Sequence, residues 1–118
     1  MKKLVIYGAW YLSRVIAEAA EASGWEILGF VDPEPPEDVA TLETLPENAA
    51  VFVAIGNNHI REAVTSSLLK NGRRIVTIAH PTACISPSAS IDPGSFVGEL
   101  VVVRTKATLG QGVVLQAG

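Results

Sequence analysis

Ile85, Ile91, Val97, Val103, Leu109 and Leu115 recur at a spacing of six without a miss. Four positions after each of the first five stands a small or β-branched side chain: Ala89, Ser95, Val101, Ala107 and Val113. Pro87, Pro93, Gly94, Gly98, Gly110 and Gly112 punctuate the intervals. A helix repeats about every 3.6 residues and a strand every 2, so neither element generates a period of six. A coil of short parallel strands does, with three strands to a turn and the periodic aliphatic pointing into a triangular core. In a chain that is 48% hydrophobic, filling all six slots with aliphatics is far from chance. The stretch Ile85 to Gly118 therefore predicts a β-solenoid of just under two coils.

The first part of the chain follows different periods. Leu4 to Tyr7 is a compact apolar run ending at Gly8, as a buried parallel strand does on reaching a tight turn. Leu12, Val15, Ile16, Ala19 and Ala20 then keep helical spacing, with Arg14, Glu18 and Glu21 opposite and Gly24 at the C-terminal cap. Trp25 to Val31 reads as a second strand ending at Asp32, and Ala50 to Ile55 as a third. Between them, Pro33 to Asn48 holds four prolines and five acids, a surface connection. Gly56, Asn57 and Asn58 supply a turn and helix cap. A second amphipathic helix is expected to bury Ile60, Ala63, Val64, Ser67 and Leu68 and to end at Asn71-Gly72. Ile75 to Ile78 reads as a fourth strand, broken by His80-Pro81.

Strands alternating with helices at this spacing pair in parallel through right-handed crossovers. The expected fold is thus α/β: a small Rossmann-like parallel sheet with flanking helices over residues 1–79, then a partial β-helix over residues 80–118. Alone, the first part would bury only a modest core, so packing against the coil is expected.

Composition excludes several classes of function. Nine Lys and Arg are scattered among 118 residues of net charge −3, with no basic stripe for a nucleic acid. No apolar run approaches the ~18 residues of a membrane span, and the opening Met1-Lys2-Lys3 lacks a following cleavage site. Cys84 is the only cysteine, which suits a reducing cytoplasm and reads as a small buried residue beside Ile85. His59 and His80 have no second ligand at metal-binding spacing, so no metal site is expected. His59 reads as an exposed helix residue and His80 as a packing or capping residue.

In open parallel sheets ligands sit at the carboxyl ends of the strands. Three segments converge there: Gly8-Ala9-Trp10-Tyr11, Asp32 and Gly56-Asn57-Asn58. Helix N-termini after the first and third offer free N–H groups to an anion, and Asp32 can accept from sugar hydroxyls. A dinucleotide fingerprint would need glycine at positions 8, 10 and 13, where the chain has Gly8, Trp10 and Ser13. A nicotinamide dehydrogenase is thereby disfavoured.

IYGA (6–9), GFVD (29–32), VFVAIGNNHIR (51–61) and IAHPTACISPSASI (78–91) running into hexapeptides resemble one family across the whole chain. It is that of the bacterial sugar O- and N-acyltransferases of the sialic-acid and bacillosamine pathways. The resemblance implies a nucleotide-sugar domain followed by a left-handed β-helix. It implies a UDP-sugar held by Gly8, Ala9, Trp10, Asp32, Ile55, Gly56 and Asn57, with acetyl-CoA between the coils of a homotrimer. A histidine on a later coil would act as general base. The chain departs from the family where Trp10, Tyr11 and Leu12 replace two glycines and a histidine, so those aromatics either stack on the ligand or close the pocket. By the family's pattern the base would follow Gly118 within about one hexapeptide, so this chain is expected to be catalytically incomplete. The alternative is a non-catalytic binding or trimerisation module with a short β-helix plug.

Overall fold

A computed structural model describes residues 2–8, 11–31 and 48–116. Strand β1 (Lys2–Tyr7) leads to helix α1 (Tyr11–Ala22), then β2 (Trp25–Val31), β3 (Ala50–Val53), helix α2 (Asn58–Lys70) and β4 (Arg74–Ile75). These strands form one parallel sheet in the order β2-β1-β3-β4. The chain moves from β1 outward to β2, then crosses back over β1 to β3 and β4. The reversal lies between β1 and β3, the place where such sheets bind ligands.

Alternation along the strands divides the core by face. Leu4, Ile6, Ala50 and Phe52 pack on one side with Ile16, Ala19 and Ala20 of α1. Val5, Val51 and Val53 pack on the other with Ile75 and Leu68 of α2. Helix α1 buries Ile16, Ala19 and Ala20 as expected, with Ser13 and Ala17 added, while Leu12 and Val15 of the expected face are only half-buried against the same core. It ends at Gly24, whose φ of 96° is one that residues with a Cβ rarely adopt. Asn57 caps α2 by accepting the Ile60 N–H at 3.0 Å.

Two expectations need correction here. The buried face of α2 is Arg61, Thr65 and Leu68, with Val64 half-buried, whereas Ile60, Ala63 and Ser67 are exposed. The stripe is rotated by one residue because the corner of the coil at Gly94 docks on this helix. A Cβ at Gly94 would stand 3.2 Å from Ile75 Cγ2 and 3.6 Å from Thr65 Cγ2. The expected fourth strand is also split. Arg74–Ile75 stays in the sheet, while Ile78–Ala79 forms β5 and pairs with the coil.

The coil continues as β6 (Cys84–Ile85), β7 (Ser90–Ile91), β8 (Phe96–Val97), β9 (Val102–Val103), β10 (Thr108–Leu109) and β11 (Val114–Leu115). Each strand pairs in parallel with the third strand after it, giving the three faces β5-β8-β11, β6-β9 and β7-β10. The stack therefore begins at Ile78, ahead of the aliphatic repeat, and exceeds two turns by one strand. Each repeat aliphatic is the second residue of its strand, and Val97 and Val103 are buried. The first residue points the other way, which explains why Cys84 is exposed rather than buried as expected.

Sheet and coil share one core. Phe96, fully buried, meets Phe52 edge-to-face with ring centroids 6.5 Å apart. Ile78 joins the same cluster.

Candidate functional site at the carboxyl ends of the strands

The site forms where β1 ends between its two neighbours. The Gly8 N–H donates to the Val31 carbonyl at the end of β2, and the Ala54 N–H donates to the Tyr7 carbonyl at 2.9 Å. Gly8 has φ of 136°, and a Cβ placed there would stand 2.6 Å from the Ala54 carbonyl oxygen. Glycine is therefore required twice, by conformation and by contact. The consequence is that the turn after β1 lies directly against the backbone after β3.

Gly8, Ile55, Gly56 and Asn57 are thus brought to one end of the sheet, as expected. Ile55 is half-buried, while Gly56 and Asn57 are exposed. Val31, 5% exposed, ends β2 beside Gly8. Ala9, Trp10 and Asp32, also expected in the site, lie outside the described residues. Tyr11, the first residue of α1, is 81% exposed.

Sequence reasoning gave no role to Arg61, which is 8% exposed. Its Nη1 donates to the Ile55 carbonyl at 2.9 Å and the Gly56 carbonyl at 3.4 Å. Its Nη2 donates to Asn58 Oδ1 at 2.7 Å, and its Nε to the Gly112 carbonyl at 2.8 Å. All four acceptors are neutral oxygens. Burial lowers the guanidinium's pKa from its usual value by disfavouring the charged form. A cleft of about 330 Å³ lies along this seam, lined by Asn58, Arg61, Glu62 and Gln111–Val114. The only signal in the sequence was an arginine at i+4 from the helix cap, which reads equally well as surface.

The histidines stand apart from this arrangement. His59 is exposed on α2. At His80, Nδ1 accepts the Thr82 N–H at 3.1 Å and lies 2.8 Å from Thr82 Oγ1, so the ring caps the first turn of the coil. Among the described residues no group of three His, Cys, Asp or Glu could hold a metal ion. No described helix is long and apolar enough to cross a membrane.

Residues 3–68 match the PglD N-terminal domain. The chain belongs to this family. Two curated relatives align with about half of this PglD-type chain. UDP-N-acetylbacillosamine N-acetyltransferase of Bacillus subtilis is 32% identical over 63 residues, which are 53% of this chain and 29% of that protein. GDP-perosamine N-acetyltransferase of Escherichia coli O157:H7 is 32% identical over 59 residues, 50% of this chain and 27% of that protein. The aligned stretch thus spans under a third of either curated relative.

Solved structures extend the likeness. The acetyltransferase domain of PglB from Neisseria gonorrhoeae, in complex with acetyl coenzyme A, superposes with a TM-score of 0.85 at 31% identity. The match covers 98% of this chain and 62% of that one. A variant of perosamine N-acetyltransferase from Caulobacter crescentus, in complex with CoA and GDP-perosamine, gives 0.87 over 100% of this chain and 61% of that one. At 24% identity that second likeness speaks for the fold alone.

Proposed function

We propose that this chain is the nucleotide-sugar-binding portion of an acetyl-CoA-dependent sugar acetyltransferase. The observation that carries the reading is the junction of the β1 and β3 turns at Gly8, in a chain of the PglD N-terminal domain family. In this reading the site comprises Gly8, Ala9, Trp10, Asp32, Ile55, Gly56 and Asn57. The turns face the diphosphate with backbone N–H groups, and Asp32 accepts from sugar or ribose hydroxyls. Residues 1–79 hold the ligand, and residues 80–118, entered through β5, carry hexapeptide repeats of a left-handed parallel β-helix. The parallel register of Cys84 on Val102, Ser90 on Thr108 and Phe96 on Val114 supports that assignment.

The nucleotide is either UDP or GDP, since the relatives' names include both. Acetyl-CoA is the co-substrate, bound between coils of a homotrimer in the cytoplasm. In the reaction the sugar amine attacks the thioester carbonyl, a base takes the amine's proton, and the CoA thiolate leaves. Neither histidine in residues 1–118 is assigned as that base, because His59 sits on the outside of α2 and His80 is engaged with Thr82. No metal takes part.

A second reading, a non-catalytic assembly module, is favoured by Leu100 and Val102, which stand 73% and 60% exposed on the coil. Thermal unfolding with UDP, a UDP-amino-sugar, GDP-perosamine and acetyl-CoA separates the two. A bound nucleotide sugar at a hundredfold excess over Kd should add about 2.7 kcal/mol of stability. If none of these ligands shifts the transition, the nucleotide-sugar reading falls and the assembly module stands.

A further inference from the structure

Among the described residues no other charged side chain is buried as Arg61 is. A desolvated cation with no carboxylate among its hydrogen-bond partners is an expensive way to fill space, and an apolar side chain of similar volume would serve packing better. What arginine supplies instead is a planar fork whose nitrogens donate in fixed directions. All three nitrogens are used, and they join two parts of the molecule.

One end of the fork holds consecutive carbonyls, those of Ile55 and Gly56. The peptide bonds here are trans. In a planar trans peptide the N–H points opposite to the C=O. Fixing these two carbonyls therefore fixes the Gly56 and Asn57 N–H groups, which face away from the guanidinium. Nη2 adds Asn58, the first residue of α2, so the whole turn from Ile55 to Asn58 is bound to one side chain. The other end reaches across the fold to Gly112, in the corner between β10 and β11. Gly112 itself donates its N–H to the Pro93 carbonyl of the preceding coil at 3.3 Å.

We infer that Arg61 is a positioning residue: a strut that sets the Ile55–Asn58 turn against the coil at Gly112 and so orients that turn for its ligand. The inference rests on the reading of this turn as part of the nucleotide-sugar site. It adds that the site needs the coil as well as residues 3–68, because one of the strut's two anchors lies on the coil.

The test uses the full chain with Arg61→Lys, Arg61→Met and, as a stability control, Leu68→Ala, which lies under α2 away from the turn. GDP-perosamine and a UDP-amino-sugar are titrated by calorimetry well below each variant's melting transition. Arg61→Met should lose affinity by roughly 10-fold or more and Arg61→Lys by less, since a lysine reaches one acceptor and not four. Leu68→Ala should bind as the unmodified chain does despite its lower stability. An Arg61→Met chain that binds with undiminished affinity, or a Leu68→Ala chain that loses as much, overturns the inference.

Amide exchange without ligand tests the strut separately. Arg61→Lys should loosen residues 55–58 and 111–113 together while β1 and β3 keep their protection. Loosening confined to one of the two segments overturns the strut. If the unmodified chain binds neither nucleotide sugar, the proposed function fails, and the exchange measurement alone decides whether Arg61 joins turn to coil.

Discussion

Gly8 has no room for a side chain. A Cβ would press on the Ala54 carbonyl at 2.6 Å while forcing a β-carbon into φ of 136°. Strain of this kind and overpacking each cost about 1–3 kcal/mol. Gly8→Ala should therefore destabilise the chain by about 3 kcal/mol in urea unfolding and separate the two turns that define the site. Arg61 makes the opposite demand, a long charged side chain kept out of water. Its folded pKa is lowered by burial, so the cost of desolvating the charge is present below that value and is relieved only as pH rises through it. The contribution of this group to unfolding free energy should therefore rise as pH climbs through the alkaline range toward arginine's ordinary value. A stability profile measured across that range checks the point.

Among the elements, the coil shows how a short repeat closes on itself. Thr82 Oγ1 accepts the Leu100 N–H at 3.1 Å, and Ser88 Oγ accepts the Lys106 N–H at 3.0 Å. At a third corner the Thr77 hydroxyl accepts the Ser95 N–H, and the Ser95 hydroxyl accepts the Val113 N–H, one coil further on each time. Ser95 is the buried member, donating to the Gly110 carbonyl at 2.8 Å. Ser95→Ala keeps the volume and strands that carbonyl and the Val113 N–H, so a loss of about 1–3 kcal/mol is expected. Amide exchange should place the loss in residues 110–114. Helix α2 behaves differently. Its apolar periodicity pointed to Ile60 and Ala63, yet the helix turns Arg61 and Thr65 inward because polar acceptors and a coil corner await them.

On the scale of the whole molecule, sheet and coil form one hydrophobic unit. Phe96 comes from the coil and Phe52 from the sheet, and Ile78 and Ile16 belong to the same buried cluster. Phe96→Ala should cost about 3–5 kcal/mol, the usual range for emptying a buried aromatic site. Because the core crosses residue 79, circular dichroism and tryptophan fluorescence should report one coincident melting transition in the unmodified chain. Two separated transitions would mean that the coil folds independently of the sheet.

Periodicity alone determined the two regimes of this chain. The spacing of six in the coil and the three-and-four spacing in the helices reflect which side chains a regular backbone sends inward, and regular backbones repeat locally. The strand after Gly24, the cap at Asn57 and the glycine turn at Gly8 were legible for the same reason. What periodicity could not assign were contacts between elements. Ile78 belongs to the coil because its N–H meets the Ser95 carbonyl, delivered by the following turn of the coil. Arg61 is buried because Gly112, Ile55 and Gly56 bring their carbonyls to one point. A side chain's own neighbours in sequence carry no trace of an acceptor delivered by another part of the fold, so only the tertiary structure decides such positions.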